Sequence, residues 1–531
     1  MPHHAPSVPR RGALAAAVLA AAVLAVASAC APATTATTPA PAAAPATPRA
    51  AFVHLVDSLV GEPQWRNMHW GILVVDPERS DTLYSLNAGK LFMPASNQKL
   101  LTGAVALEKL GPEYRFRTGI AVAPSSAGGE PVRDGVVYGD LVVTGYGDPS
   151  VSDHAAGSAM TPLLAIADSL RARGITRVRG LLVGGADNMP GPQLGFGWAW
   201  DDLDYPYSAG VDELFFNEGF TVIDVIGGAS AGEPVRARTR PASSYPRLIV
   251  RAETVVRPTV DSLRPRPSVS WDATGSVVEV TGAIAAGDSV ALRLTFRDQR
   301  AAYLAALEEA LAARGIQVNG GVALTDSAAV ARAGEPLFTV LSPTLAELMP
   351  RLQKPSQNQI AELFMRTLGL EITGVGSADS GQAVIERQMA AWGAPEGSYV
   401  VRDGSGLSRH DYVSPEAIIH VLDAMRQDEH FRLFHDALPI AGVDGTISGR
   451  MKGTPAAGNV HAKTGYIDRA RSLSGYVTTA DGVPLLFSIL SNNWTTSVRD
   501  VERVQDAIAA HLAGMTLGDE RAPVRAQDGA H

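Results

Sequence analysis

Ser96 and Lys99 are the first residues in the chain whose types and spacing could do chemistry. They begin and end the tetrad Ser96-Asn97-Gln98-Lys99, and side chains three positions apart share one face of a helix. A serine hydroxyl is a weak nucleophile without a base, and lysine can be that base only when it is neutral. Lowering a lysine pKa from ~10.4 to about 7 requires roughly 4–5 kcal/mol, which burial and a second cation can supply. The tetrad predicts an activated serine; the simpler interpretation is a surface Ser and Lys at the start of a helix.

A second candidate is the triplet Ser356-Gln357-Asn358, which precedes a helical pattern over 359–370. Its serine could relay a proton to a leaving group, and the asparagine amide could bind a substrate carbonyl. The alternative is structural, because Ser356 followed three residues later by Gln359 resembles a capping box. Taken alone, the triplet favours a helix N-cap over a catalytic role.

The third motif is Lys463-Thr464-Gly465, before a strand-like stretch. The lysine would supply positive charge for a substrate carboxylate and help lower the pKa of Lys99, and the glycine would let substrate approach the strand edge. The alternative is a lysine in a turn. The chain has only six lysines, and two of them fall in these motifs. The three motifs together, in this order, are typical of serine penicillin-recognising enzymes.

The elements that must position these motifs come from both ends of the chain. Apolar runs predict strands and a terminal helix, and the Gly111-Pro112 pair ends a helix that begins near Ser96. The early strands are 71–76 and 82–87, the late hairpin is 471–479 with 484–492, and the terminal helix is 498–511. These strands could form one sheet, so the middle of the chain must be an insertion. Within the middle, 225–290 predicts short strands, 300–314 an amphipathic helix and 345–370 a second helical unit.

The chain resembles the D-alanyl-D-alanine carboxypeptidase/endopeptidase family, the DacB-like class C low-molecular-mass penicillin-binding proteins. The resemblance covers nearly all of residues 51–515, and Ser96 and Ser356 are separated by the long spacing typical of that family. The stretches that carry it are 94–99 (PASNQK), 110–116 (LGPEYRF), 147–149 (GDP), 198–203 (WAWDDL), 403–409 (DGSGLSR), 438–446 (LPIAGVDGT) and 461–465 (HAKTG).

The resemblance implies an α+β fold: a penicillin-binding, β-lactamase-like transpeptidase core, in which an antiparallel sheet has helices on both faces. A large inserted domain interrupts this core and itself carries a smaller β-rich insertion. The implied limits are 1–29 for a signal peptide, 30–50 for a tether, 51–118 with 336–515 for the core, 119–225 with 291–335 for the inserted domain, 226–290 for the β-rich domain, and 516–531 for a disordered tail.

The resemblance also implies roles for the motif residues. Ser96 would be the acylated nucleophile and Lys99 its base, with Ser356 and Asn358 completing the proton path and the carbonyl contact. Lys463 and Thr464 would receive the terminal carboxylate of a D-Ala-D-Ala stem.

Other residues would bind or surround the substrate. Backbone N–H groups of Ser96 and Tyr466 would form the oxyanion hole. Asp202 matches an acidic family residue that faces the free amine of the stem side chain, or it is a structural Asp in a turn. Ser405 and Arg409 would be supporting residues at most.

Two positions depart from the family pattern. Tyr466 stands where Ser or Thr usually follows the glycine, so its ring would narrow the site while its backbone role survives. Asp468, two residues on, adds an acid near the side-chain pocket.

The N-terminus reads as an export signal. Arg10-Arg11 precede an apolar stretch, 13–25, and a small-residue cleavage site, 27–29. Cleavage there would place Cys30, the only cysteine, at the new N-terminus, as in bacterial lipoproteins, although Ala27 stands where such signals usually have Leu. The alternative is ordinary cleavage with an incidental Cys. The Ala/Pro/Thr-rich segment up to residue 50 would be a tether. The prediction is the periplasm or cell envelope, with a lipid anchor if Cys30 is acylated.

Composition excludes several other functions. The net charge of −9 argues against non-specific nucleic-acid binding. No H-E-x-x-H spacing occurs among the twelve His residues, and neither a metal nor a cofactor is predicted. The predicted partners are peptidoglycan stem peptides and β-lactams. Two alternatives are a β-lactamase or esterase on the same scaffold, and a catalytically silent envelope scaffold. The balance between carboxypeptidase and endopeptidase activity stays open.

Overall fold

The sheet that carries the third motif is assembled from both ends of the chain. The computed structural model describes residues 47–125 and 128–518. In it, five antiparallel strands lie in the order Asp81–Leu86, His69–Asp76, Pro484–Asn492, Ala470–Thr478 and His461–Ile467. The prediction that early and late strands share one sheet is therefore confirmed, and Lys463 lies on the edge strand.

Both faces of this sheet are buried. Leu73 packs in one apolar cluster, whereas its neighbours Ile72 and Val74 pack in another. Successive strand side chains point to opposite faces, so each cluster belongs to one face. The first cluster contains the helix that follows Ser96, and the second contains the first and last helices of the described chain. This confirms the predicted α+β core with helices on both faces.

The helices of the core begin with Pro48–Val60, which takes in the last three residues of the predicted tether. Pro48 suits the first helical position and the Thr47 side chain caps the helix. The helical unit predicted over 345–370 is two helices, broken at 354–357. The core helices are Pro48–Val60, Gln98–Leu110, Leu345–Gln353, Asn358–Thr373, Ala378–Ala391, Pro415–Gln427, Phe431–Ala437 and Val498–Gly514.

A second five-stranded sheet belongs to the middle of the chain. Its strands lie in the order Val322–Ala323, Leu182–Gly184, Asp140–Gly145, Arg115–Ala123 and Phe338–Thr344. A small sheet lies in the same part of the chain, with strands Gln317–Val318, Arg177–Val178, Val136–Val137 and Val132–Arg133. The helices here are Asp153–Ala156, Met160–Ala172, Gln299–Ala313 and Ser327–Arg332. The middle of the chain has an apolar cluster of its own.

The segment between the two halves of this unit is rich in strands. One sheet has the order Arg236–Arg240, Phe220–Ile226 and Ser289–Thr295, a second has Leu248–Val250, Val278–Thr281 and Ser268–Trp271, and a strand pair joins Glu253–Val255 to Ala283–Ala285. Trp271 packs in a separate cluster with side chains from these strands. A further strand pair, Tyr399–Val400 with Tyr412–Val413, lies in the core.

We propose the inserted-domain organisation on this basis. The strands Arg115–Ala123 and Phe338–Thr344 pair with each other, and both belong to the second sheet. We therefore place the two junctions near residues 115 and 344, a few residues outside the predicted limits at 118 and 336. The signal peptide, Cys30 and most of the tether and tail lie outside the described residues. In the described part of the chain, no helix has the length and apolar character needed to span a membrane.

Candidate active site

Ser96 lies in a short 3₁₀ turn, Ala95–Asn97, that leads directly into the helix Gln98–Leu110. We call this the nucleophile turn. The Asn97 side chain donates a hydrogen bond to the main-chain oxygen of Lys463 (2.8 Å), which fixes the turn against the edge strand. The tetrad is therefore at a helix start, as predicted, but Lys99 is fully buried rather than on the surface.

Lys99 is held directly beneath the serine. Its Nζ donates to Ser96 Oγ (3.0 Å), to Asn358 Oδ1 (2.6 Å) and to the main-chain oxygen of Ser405 (2.7 Å). Burial lowers the pKa of Lys99 to about 7, against the opposing pull of nearby carboxylates led by Asp403. A substantial fraction is therefore neutral near pH 7, and the neutral amine has a lone pair that can accept the Ser96 proton.

Ser356 occupies the break between two core helices and has a left-handed backbone, with φ 63°. Its Oγ accepts a hydrogen bond from Lys463 Nζ (2.7 Å). The helix cap is formed by Gln357, whose side chain accepts from Ile360 N, so the capping-box interpretation of Ser356 is wrong. The unusual backbone instead directs the hydroxyl toward Lys463, as the chemical interpretation requires.

The remaining motif groups complete a connected network. Lys463 Nζ also donates to the main-chain oxygen of Thr464 (3.0 Å), and Asn358 Nδ2 donates to the main-chain oxygen of Tyr207 (2.7 Å). Burial lowers the pKa of Lys463 well below its ordinary range, and the charges of Lys99 and Arg471 lower it further. The buried amines of Lys99 and Lys463 thus contact Ser96 and Ser356 respectively, and the charge of Lys99 helps to lower the pKa of Lys463.

Three buried carboxylates lie behind Lys99, and the sequence patterns did not single them out. Glu362 accepts from the main-chain N–H groups of Gly404 and Ser405, which aims the Ser405 oxygen at Lys99. Burial, followed by the charge of Asp403, raises the pKa of Glu362 to about 7 and that of Asp411 well above its ordinary range. Ser405 therefore contacts Lys99 through its backbone. In the sequence, only the stretch 403–409, which begins with Asp403, had pointed to this region.

Gly465 has a structural role that the sequence did not predict. It does not line the cavity; instead, its strand passes close to the nucleophile turn. A β-carbon added to Gly465 would lie 2.5 Å from the main-chain oxygen of Pro94 and 2.9 Å from Ser96 N. Only glycine permits this approach. The residue therefore brings the edge strand beside the Ser96 N–H, and its role toward substrate stays a prediction.

These groups meet at a cavity of about 610 Å³. Lys99 and Lys463 lie beneath it, fully buried. The predicted residues in its lining are Ser96, Asp202, Ser356, Asn358, Arg409, Thr464, Tyr466 and Asp468. The lining also contains residues that were not predicted: Ala199, Tyr207, Gly406, Leu407, Thr446, Ile467 and Arg471. Besides Ser96, seven of the other eleven predicted catalytic and substrate-binding residues thus line this cavity.

Two walls of the cavity carry the predicted specificity residues. Asp202 accepts a hydrogen bond from the Tyr207 hydroxyl (2.6 Å), so its carboxylate is fixed at the rim. Arg409 donates to the main-chain oxygen of Asp468 (2.9 Å), which ties its loop to the end of the edge strand. Tyr466 is 53% exposed and lines the cavity.

Thr446 is a polar group that the motifs missed. Its hydroxyl lies 2.7 Å from that of Thr464, and both line the cavity. The stretch 438–446 had carried part of the family resemblance, and Thr446 ends it. The two hydroxyls and the Lys463 amine form one polar corner suited to a carboxylate.

A histidine pair lies where the edge strand meets the helix Phe431–Ala437. His435, Asp436 and His461 bring potential ligand atoms within 4.8 Å of one another. The two imidazole rings stack, with centroids 3.9 Å apart and an interplanar angle of 16°. Nearly parallel rings direct their lone pairs side by side rather than toward a common point, which is an unfavourable geometry for a shared ion.

Comparisons with known proteins identify the family of this chain. The D-Ala-D-Ala carboxypeptidase 3 (S13) family model matches residues 53–515. The D-alanyl-D-alanine carboxypeptidase of Actinomadura sp. (strain R39) is 33% identical over 470 residues, covering 86% of this chain and 84% of the relative. The D-alanyl-D-alanine carboxypeptidase DacB of Haemophilus influenzae is 27% identical over 465 residues, covering 85% and 90% respectively.

The fold is also shared with solved structures. Penicillin binding protein 4 (dacB) from Haemophilus influenzae superposes with a TM-score of 0.72 at 23% identity, covering 86% of this chain and 99% of that chain. Its complex with a novel β-lactam superposes with a TM-score of 0.68, also at 23% identity and with the same coverage of both chains. With the family model spanning most of the sequence and the Actinomadura relative above 30% identity, this chain belongs to the D-Ala-D-Ala carboxypeptidase 3 (S13) family.

Proposed function

We propose that this chain is a serine DD-peptidase that acts on peptidoglycan stem peptides, as a D-Ala-D-Ala carboxypeptidase, a DD-endopeptidase or both, and that it binds penicillin covalently. The observation that carries the proposal is the buried Lys99 amine, 3.0 Å from Ser96 Oγ, with its pKa lowered to about 7. The β-lactam complex of the Haemophilus relative supports penicillin binding.

The proposed reaction has two steps. Lys99 takes the Ser96 proton while Oγ bonds to the carbonyl carbon, and the tetrahedral intermediate then expels the peptide nitrogen. The proton that Lys99 took from Ser96 passes to that nitrogen through the hydrogen-bonded Ser356 and Lys463 pair, so the amine leaves and Lys99 is neutral again. Water then attacks the acyl-enzyme with Lys99 again as base, which releases the carboxylic acid and restores Ser96.

The cavity groups are assigned to the substrate as follows. Asn358 binds the carbonyl side of the stem, and Thr464 with Lys463 receives the terminal carboxylate. The N–H groups of Ser96 and Tyr466 stabilise the oxyanion. The close passage of the edge strand beside Ser96 N supports this pairing.

Residues at the rim of the catalytic cavity set the preference for the side chain of the stem peptide. Asp202 accepts the free amine of a diaminopimelate-type side chain, and Asp468 adds a second carboxylate nearby. Tyr466 narrows the opening. Arg409 and Ser405 act as supports: one holds the Asp468 loop, and the other presents its main-chain oxygen to Lys99.

The proposed location is the cell envelope, in the periplasm. Cleavage of the predicted export signal after Ala29 would leave Cys30 at the new N-terminus, and acylation of that residue would attach the chain to a membrane through the tether. The test is incorporation of labelled palmitate in the producing cell, compared between the wild type and Cys30→Ser. Equal labelling of the two would refute lipidation at Cys30.

The decisive experiment is intact-mass spectrometry of the purified soluble part after incubation with benzylpenicillin. A stable adduct on the peptide that contains Ser96, absent in Ser96→Ala with an unchanged circular dichroism spectrum, is the expected result. Loss of the drug without an adduct would favour a β-lactamase instead. An untouched drug and no adduct would favour a silent scaffold.

A further inference from the structure

A second cavity, of about 480 Å³, lies against the catalytic one. The two cavities share Tyr207, Ser356 and Asn358 in their linings, so we call the second one the lateral cavity. Its remaining walls come from both the core, in the helix Leu345–Gln353 and the break after it, and the inserted part of the chain. One end of the lateral cavity therefore lies at the Ser356 hydroxyl, which is proposed to protonate the leaving group.

The lateral cavity is positively charged. Arg293 and Arg351 both line it, and among the described residues neither forms an ion pair. Arg351 donates to the main-chain oxygen of His154 (2.6 Å), and the Arg293 guanidinium lies 5.7 Å from the centroid of the Phe220 ring. Glu218, the acid in this lining, is hydrogen-bonded to the His154 ring (2.6 Å). Two guanidinium charges are thus available to a ligand.

The position of the cavity relates it to the leaving group. When Ser96 is acylated, the departing nitrogen must lie near Ser356 to receive a proton, at the shared wall. In a carboxypeptidase reaction that nitrogen belongs to one D-Ala. In a cross-linked substrate the leaving nitrogen belongs to a second peptide stem, which has free carboxylates of its own. That second stem must continue past Ser356. A pocket of this size can hold such a chain.

We propose, resting on the function above, that the lateral cavity binds the leaving peptide of a cross-linked substrate, and that Arg293 and Arg351 pair with its carboxylates. The chemistry is the hydrolysis already described: the amide C–N bond breaks, and the amine leaves with one proton. What the cavity adds is selection of a peptide as the leaving group, which makes this chain a DD-endopeptidase.

The test compares two substrates in the purified wild type and in the double variant Arg293→Gln with Arg351→Gln. One substrate is a cross-linked muropeptide dimer and the other an uncross-linked pentapeptide. For the dimer, KM should rise about tenfold or more, because two charge-assisted contacts are lost. D-Ala release from the pentapeptide and the rate of acylation by penicillin should stay within about twofold.

The matched control is Arg171→Gln with Arg236→Gln, which removes the same charge from exposed positions outside the cavity. It should leave dimer cleavage unchanged. If the double variant fails to acylate, Arg293→Gln alone replaces it, because that residue lies on the strand Ser289–Thr295, outside the core helices.

Three results would overturn the inference: unchanged dimer cleavage in the variant, an equal fall for dimer and pentapeptide, or a wild type that releases D-Ala but leaves the dimer intact. A wild type that neither acylates nor cleaves either substrate would instead refute the proposed function.

Discussion

The rate of acylation by benzylpenicillin should depend on the protonation of Lys99. Burial lowers its pKa from 10.5 to about 7, a change equivalent to about 5 kcal/mol in favour of the neutral amine. About half of the amine is then neutral at pH 7, against about three parts in ten thousand at the ordinary pKa. Because only the neutral form can accept the Ser96 proton, the rate should fall roughly tenfold for each pH unit below 7.

At higher pH the rate of acylation should depend on a second group, Lys463. In the proposed mechanism the positive charge of Lys463 attracts a substrate carboxylate, and burial lowers the pKa of this amine well below its ordinary range. The rate should therefore decline on the alkaline side, and the profile should be bell-shaped. The charge of Glu362 acts on Lys99, and burial raises the pKa of Glu362 itself to about 7, so the acid limb reports interacting groups rather than one residue.

Stopped-flow acylation with a fluorescent penicillin from pH 5 to 10 gives the profile, with circular dichroism at each pH as a check on folding. Lys99→Met should lose about 10²–10⁴-fold at the plateau. The control is Lys109→Met, at the exposed far end of the same helix, which should acylate normally. A flat profile, or an acid limb centred near 10.5, would refute the assignment of Lys99 as base.

Two substitutions in the cavity region give further predictions. Asp202→Asn should lower kcat/KM about tenfold for a stem peptide with a free side-chain amine, through loss of a charge-assisted contact, and should leave the N-acetylated peptide unaffected; equal losses would mean a structural role. Gly465→Ala should abolish acylation, because the new methyl group would overlap the nucleophile turn, while Gly449→Ala, where the added carbon meets no atom within 4 Å, should acylate like wild type. Normal acylation in Gly465→Ala would contradict the close approach of the two backbones.

Much of the reacting centre could be predicted from short-range patterns. Ser96 and Lys99 share a helical spacing, and their motif recurs with two others in a fixed order. The central strands of the core sheet were equally readable, because continuous apolar runs are typical of strands buried on both faces. These patterns can be recognised in the local sequence, without knowing which residues they contact in the folded chain.

The parts that were missed depend on tertiary contacts. Glu362 sits in a helical pattern and looks like any solvated acid until the fold buries it beside Lys99. Ser356 carries an N-cap pattern, yet the chain adopts a left-handed conformation there and Gln357 provides the cap. Tyr207 and Thr446 reach the cavity from an insertion and a loop, so no local spacing connects them to the nucleophile.

The order in which the core can fold follows from the sheet that joins both ends of the chain. Met93, just before the nucleophile turn, donates to the side chain of Asn492, 399 residues later. At typical synthesis rates those residues take about 20–80 s to appear. The inserted unit can close its own contacts during that delay, but the apolar strand His69–Asp76 has to wait for Pro484–Asn492. A chain cut short before residue 484 would therefore expose an aggregation-prone strand and could not be labelled by penicillin.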